Sequence, residues 1–242
     1  MVSQPLSSLP NTTELPCSDD TPVDNEEQNL LPNLLLLALI SLWAERMDWY
    51  FGVDMAVYHT TGVSPNVPVV PDAFLSIGVE RRKASREGRG RLSYAVWEEG
   101  VVPLLAIEIV SQTPGKEYDE KLEIYRRLGV LYYMIYNPWY WERDRHQPFE
   151  VYKLEGGEYR QQIGEPFWMP EAGLSIGRAR QLVGGVEMEV LLWHDEQGRA
   201  YPLPEEEVRE LRLQRNEAQQ RAERLAEYVR SLGLDPDNLP NQ

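Results

Sequence analysis

The sequence predicts an α/β protein, a central mixed sheet flanked by helices with a C-terminal heptad helix. Three observations carry this. The run 102–110, VPLLAIEIV, is short and apolar, as a central strand buried on both faces requires. It is followed by a helical pattern over 116–128, with Leu122, Tyr125 and Leu128 on one stripe, and by a second apolar run at 131–136. Strand, helix and strand in that order make the βαβ unit of a partly parallel sheet. From Glu205 the composition shifts to Glu, Arg, Gln, Ala and Leu. Val208, Leu211, Arg215, Ala218, Ala222, Leu225, Val229 and Leu232 alternate steps of three and four, which is a heptad signal.

Composition sets the bounds. The chain has 242 residues, 42% of them hydrophobic and 10% aromatic, enough for a real core. The formal net charge is −15, which repels polyanions, so a nucleic-acid role needs a local basic surface. Cys17 is the single cysteine; it excludes a disulfide framework within the chain and fits a reducing cytoplasm. No basic stretch leads into an apolar segment at the N-terminus, so no targeting signal is expected. The apolar run 30–44 is broken by Pro32, Asn33 and Ser41 and is shorter than the ~18 residues of a membrane span, so it reads as a buried helix.

Along the chain, residues 1–28 lack hydrophobic periodicity and predict a disordered tail, 29–203 a folded domain, and 204–242 a coiled-coil-like helix and tail. A helix is expected over 33–47. Residues 49–58 are aromatic and β-branched and predict a strand, separated by Pro65 and Pro68 from a second at 69–79. Residues 80–100 predict a charged loop. Gly129 stands where a C-cap glycine belongs after the helix. Gly156-Gly157 joins a hairpin of 149–154 and 159–163, and a further pair is expected between 187–193 and 200–203.

Two acids stand in apolar strands. Asp72 follows Pro71 inside 69–79, and Glu108 lies within 104–110. A carboxylate buried there costs several kcal/mol, on the order of a full desolvation penalty, unless it is paired or binds metal. Two such acids on adjacent strands can hold Mg²⁺ or Mn²⁺, and a nearby lysine would complete a set for phosphodiester hydrolysis. The alternative is a carboxylate satisfied by backbone N–H groups.

The order Pro71-Asp72, then Glu108-Ile109-Val110-Ser111, then Glu117-Tyr118-Asp119-Glu120-Lys121-Leu122-Glu123-Ile124-Tyr125, then Gly129-Val130-Leu131-Tyr132-Tyr133 resembles a bacterial family of the PD-(D/E)XK nuclease superfamily, over about residues 30–203. The resemblance implies a restriction-endonuclease-like fold and a metal-dependent endonuclease acting on DNA. The superfamily's lysine would stand two residues after the glutamate, where this chain has Val110; in the resembling family it has moved to the following helix, onto Lys121. The implied site is Asp72, Glu108 and Lys121, with Asp72, Glu108 and the Ile109 carbonyl as metal ligands. The alternative for Lys121 is a helix ion pair with Glu117, and for the whole chain a nuclease-fold module that binds nucleic acid or protein without cutting.

Other residues enter as outer-shell candidates beside blander readings. Glu45 could be a first-helix acid or a surface residue, Tyr125 a site or core residue, and Ser111 and Gln112 water-orienting groups or a polar turn. Tyr132, Tyr133, Tyr136, Trp139, Tyr140 and Trp141 could stack bases or pack the core. Arg81, Arg82, Lys83, Arg86, Arg89 and Arg91 form a basic run after the Asp72 strand, either a solvated loop or an arm bringing a phosphate to the metal. A homodimer through 208–232 is expected from the heptads.

Overall fold

The computed structural model describes residues 9–16, 25–83, 90–112, 116–233 and 235–236. Arg86, Arg89 and Cys17 lie outside the described residues. The chain divides into two compact units, Met1–Tyr201 and Pro202–Gln242.

The first unit is built on a six-stranded mixed sheet of order β1-β3-β5-β6-β7-β8. Its strands are β1 (Trp49–Val53), β3 (Ala73–Ile77), β5 (Leu105–Ile109), β6 (Tyr132–Tyr136), β7 (Phe149–Glu155) and β8 (Glu158–Gln161). Only β5 and β6 pair parallel, joined by the expected helical crossover; the other neighbours are antiparallel. Every residue of β5 and β6 is buried, which explains their unbroken apolar character. The run 49–58 is two strands rather than one. It divides at Asp54, whose φ of 46° turns the chain before β2 (Val57–Tyr58).

Each face of the sheet is covered. On one side α3 (Leu122–Leu128) packs Tyr125 and Leu128 against Ala106, Val110, Tyr133 and Ile135. On the other lies α1 (Glu26–Leu42), with Leu31, Pro32, Leu35, Ala38 and Leu39 buried, where the Leu35 carbonyl accepts from the Trp193 indole at 3.0 Å. This helix starts seven residues before the expected Asn33 and ends before 47. Asn25 caps it, its side chain accepting from the Gln28 N–H. Pro32 therefore lies inside the helix. Its ring is buried, and the apolar face it shares outweighs the lost backbone hydrogen bond.

The same face carries a second sheet, β11-β10-β9. Here β9 is Phe167–Met169, β10 is Leu174–Val183 and β11 is Val186–His194. The partner of 187–193 is thus β10, through the Gly184-Gly185 turn, and not 200–203, of which only Ala200 makes a bridge, to His194. Within 80–100, β4 (Tyr94–Ala95) pairs with β2 and α2 (Val96–Glu99) follows. Residues 9–16, placed by composition in a disordered tail, lie on this part of the unit. Leu15 is buried with Ala56, Tyr58 and Ala95, and the Tyr58 hydroxyl donates to the Pro16 carbonyl at 2.7 Å. A short helix, α4 (Trp141–Asp144), follows β6.

The second unit contains α5 (Pro204–Ser231), 28 residues long with no buried residue. No helix of the described residues is long and apolar enough to cross a membrane.

Candidate active site

Strand register brings the two acids together. In the β3–β5 pair Ala73 faces Ile107 and Phe74 faces Ala106. One step further the same antiparallel register sets Asp72 opposite Glu108, on one face, with Cβ atoms about 4.5–5.5 Å apart. The Asp72 carboxylate turns back onto β5 and accepts from the Ile109 N–H at 2.6 Å. Glu108 is buried at 1% exposure. Its Oε2 accepts from Lys121 Nζ at 2.7 Å and its Oε1 from the Tyr125 hydroxyl at 2.7 Å.

The lysine reaches Glu108 because the expected helix does not begin as an α-helix. Lys116 takes φ 65°, and Glu117–Lys121 form one π-helical turn, closed by the Lys121 N–H on the Lys116 carbonyl at 3.1 Å. Such turns recur at functional sites because they re-aim side chains. The Glu-x-x-x-Lys-x-x-x-Tyr spacing then lines three residues along one side facing β5. Lys121 pairs with the strand glutamate, and the ordinary helix pair with Glu117 is not what holds it.

Glu117 is a site residue that the sequence reading missed. It is buried at 5% exposure, and the Tyr133 hydroxyl donates to its carbonyl at 2.8 Å. Its charge is felt by Asp72, Glu108 and Lys121 alike. Burial pushes the Asp72 carboxyl well above its usual range and the Glu108 charge pushes it further, against the Ile109 N–H and Lys121. Burial also raises Glu108, opposed by Lys121 and Tyr125. For Lys121 burial alone would lower the pKa, but Glu108, Asp72 and Glu117 outweigh it and keep the ammonium protonated. The Tyr125 phenol is raised well above its ordinary value by burial and by Glu108, so it stays a hydrogen-bond donor.

Gln28 is the second residue missed, hidden by the misplaced start of α1. Its side-chain amide donates to the Ile109 carbonyl at 3.1 Å, so the first turn of α1 abuts the site strand. The signal was present: Asn25 three residues before Gln28 is the spacing of a capping box.

Of the outer-shell candidates, Tyr125 is in the site. Ser111 is buried just past β5, and Gln112 is exposed with its carbonyl held by Arg143 at 2.9 Å. Glu45 is exposed beyond the C-terminal end of α1, next to the Trp49 end of β1, away from the acids. The basic run also departs from expectation. Asp72 precedes β3 and Arg81 follows it, so the five-residue strand separates them by about 17 Å or more. Arg81 donates its N–H to Met47 and stacks on Trp49, while Arg91 and Lys83 both pair with Glu99. Together with Arg82 and Tyr50 they line a hollow of about 520 Å³ at the far end of the strand.

A mixed sheet with an acid pair at the meeting of β3 and β5, served by a lysine from the crossover helix, defines an α/β protein of the restriction-endonuclease-like class. The chain belongs to the Uma2 family, described as "Putative restriction endonuclease", whose model matches residues 20–182. A solved structure from Anabaena variabilis, titled "putative nuclease belonging to DUF820", is similar at 13% identity with a TM-score of 0.43. The match covers 62% of this chain and 74% of that one. No curated protein matches the chain.

Proposed function

We propose that the chain is a metal-dependent endonuclease that hydrolyses DNA phosphodiester bonds in the cytoplasm, with Asp72 and Glu108 as carboxylate ligands of Mg²⁺ or Mn²⁺. The observation that carries this reading is the fully buried Glu108 and the half-buried Asp72, which the β3–β5 register, carried one step past Ala73–Ile107, brings to facing positions. Burial first and the Glu108 charge second raise the Asp72 pKa, and a divalent cation would offset both. Among the described residues no group of three or more His, Cys, Asp or Glu could hold a metal. The proposed donor set is the two carboxylates and the Ile109 carbonyl, which also accepts from Gln28; so few carboxylates suit Mg²⁺, since that ion keeps several waters. The bound ion would lower the pKa of a water and offset charge on the phosphate.

The protein's own groups supply the rest. The protonated Lys121, partly exposed beside Glu108, offers positive charge to the phosphate as water adds to phosphorus and the sugar oxygen leaves. Tyr125 fixes the rotamer of Glu108 by occupying its second oxygen. Arg81, Arg82 and Lys83, at the other end of β3, would contact phosphates remote from the cut. The apolar stripe of α5, with Val208, Leu211, Leu225 and Leu232 exposed, supports self-association through 208–232.

A second reading is a nuclease-fold module that binds without cutting. It is favoured by one observation: both Glu108 oxygens already have donors in Lys121 and Tyr125. One experiment separates the two. The nuclease reading expects cleavage of DNA that needs Mg²⁺ or Mn²⁺ and Mn²⁺ binding by calorimetry, both lost in Asp72→Asn and Glu108→Gln variants that remain folded. Cleavage by both variants at the wild-type rate would sink it, and absence of Mn²⁺ binding in the wild type would favour the binding module.

A further inference from the structure

The aromatic run after β6 divides sharply in the structure. Tyr132, Tyr133 and Tyr136 are core residues at 0–1% exposure. Trp139 and Trp141, in the turn beyond the strand, are 68% and 37% exposed. Among seven tryptophans, Trp49 and Trp193 are fully buried and Trp43, Trp97 and Trp168 are half-buried, in line with the high average burial of this residue. Two exposed indoles two positions apart on one short segment are unusual for so apolar a side chain, and exposed apolar surface marks contact sites when it is contiguous.

The turn lies at the strand end that carries the acids. β5 and β6 are parallel, with Ile109 opposite Tyr136, so residues 137–141 emerge beside the end of β5. The Trp139 indole N–H donates to Glu27 at 3.3 Å, and the next residue, Gln28, donates to the Ile109 carbonyl. Arg143 stacks on Tyr140 at 4.3 Å and holds the Gln112 carbonyl, which ties the turn to the segment leaving β5. Among the described residues most cations of this region are already paired, with exposed Arg145 at the end of α4 as the exception. Lys116 pairs with Glu120, Lys121 with Glu108 and Arg143 with Asp144, while Glu27, Asp54, Asp72 and Glu117 add negative charge. Phosphate contacts alone would hold a nucleic acid weakly here. Stacking of bases on indole does not depend on net charge, because every base presents a π-face.

We infer that Trp139 and Trp141 form a stacking platform for unpaired nucleobases, and that the strand delivered to the acid pair is single-stranded or locally unpaired. The inference rests on the nuclease reading for the identity of the site and adds the form of its substrate. A paired, stacked duplex keeps its bases' faces covered and offers nothing to an exposed indole, whereas an unpaired base can leave its stack and lie on one.

The test is fluorescence anisotropy in Ca²⁺, with a short labelled single strand and with the duplex made by annealing its complement. The wild type is expected to bind the single strand about tenfold or more tightly than the duplex. Trp139→Ala should weaken single-strand binding about tenfold, and Trp139→Phe should recover most of the loss, because a phenyl face still stacks. Duplex binding equal to or tighter than single-strand binding overturns the inference. So does a folded Trp139→Ala, Trp141→Ala double variant with wild-type single-strand affinity. Metal-dependent cleavage, measured separately on both substrates, reports on the nuclease reading. Cutting of duplex that is indifferent to the tryptophans removes the platform and leaves the nuclease, whereas neither binding nor cutting of any nucleic acid removes both.

Discussion

Replacing Asp72 with Asn should stabilise the metal-free protein at neutral pH while destroying its proposed activity. The amide keeps an oxygen acceptor for the Ile109 N–H, so the contact at 2.6 Å can persist. What it removes is a negative charge set directly across the strands from Glu108 and within reach of Glu117. Two unit charges about 5 Å apart repel by roughly 3 kcal/mol at an effective dielectric near 20. The attraction of Asp72 to Lys121 offsets part of this, leaving an expected gain of about 1–2 kcal/mol, or roughly 2–8 °C in Tm for a chain of this size. The sign of the pH dependence follows from the direction of the shift. The Asp72 pKa is raised in the folded state, so the native protein holds the proton after the unfolded chain has released it. The Asp72 contribution to stability should therefore fall as pH rises above the ordinary 3.8, and the Asn variant should lose that part of the slope. Urea melts in EDTA from the ordinary carboxylate range, about pH 4, up to neutral pH and beyond would measure both. A folded Asn variant that is less stable than wild type at pH 7 with an unchanged slope would refute the reasoning, because Asp72 would then be held by favourable contacts and not strained by its neighbours. Added Mn²⁺ should raise the wild-type Tm and leave the variant nearly unmoved.

Two further outcomes follow from the same geometry. Lys121→Met leaves the buried Glu108 carboxylate uncompensated and should cost about 3–5 kcal/mol at pH 7, with the deficit shrinking at lower pH as Glu108 takes up a proton; a loss of a few tenths of a kcal/mol in a denaturant melt would instead indicate a solvated helix pair. A chain ending at residue 204 should sediment as a monomer if the full-length protein is a dimer through α5, and two identical monomers would remove that assembly.

The parts of the fold legible in the sequence are those where one physical pressure dominates. β5, β6 and α3 are read correctly because full burial leaves only apolar residues at strand and helix spacing. α1 begins earlier than read because Pro32 looks like a breaker, yet tertiary burial of its ring overrides local preference. β10 is missed because only its first half is buried; its second half is polar, and Gly177 interrupts the pattern. That glycine is required by packing, since a Cβ there would sit 2.8 Å from Pro166. In the site, the two acids are visible as charges in apolar strands, but their pairing needs the register. The role of Glu117 is masked because i,i+4 spacing suggests an α-helical ion pair, and the π turn spends the lysine elsewhere. Arg81, Lys83 and Arg91 lie away from the acids for a simpler reason: nearness in sequence to the Asp72 strand says nothing about which end of that strand is meant.

Val110 and Lys121 lie on one side of the sheet with respect to Glu108. Side chains alternate along β5, so Val110 projects to the same face as Glu108, where it packs with Tyr125 and Leu128. A lysine at 110 and a lysine at 121 would thus approach one carboxylate from the same side of the sheet. The proposed role of Lys121 therefore rests on a position for an ammonium group in space and not on a position in the sequence. If Lys121 holds the proposed role, a chain that lacks a lysine at 110 would still bring an ammonium group to the strand glutamate.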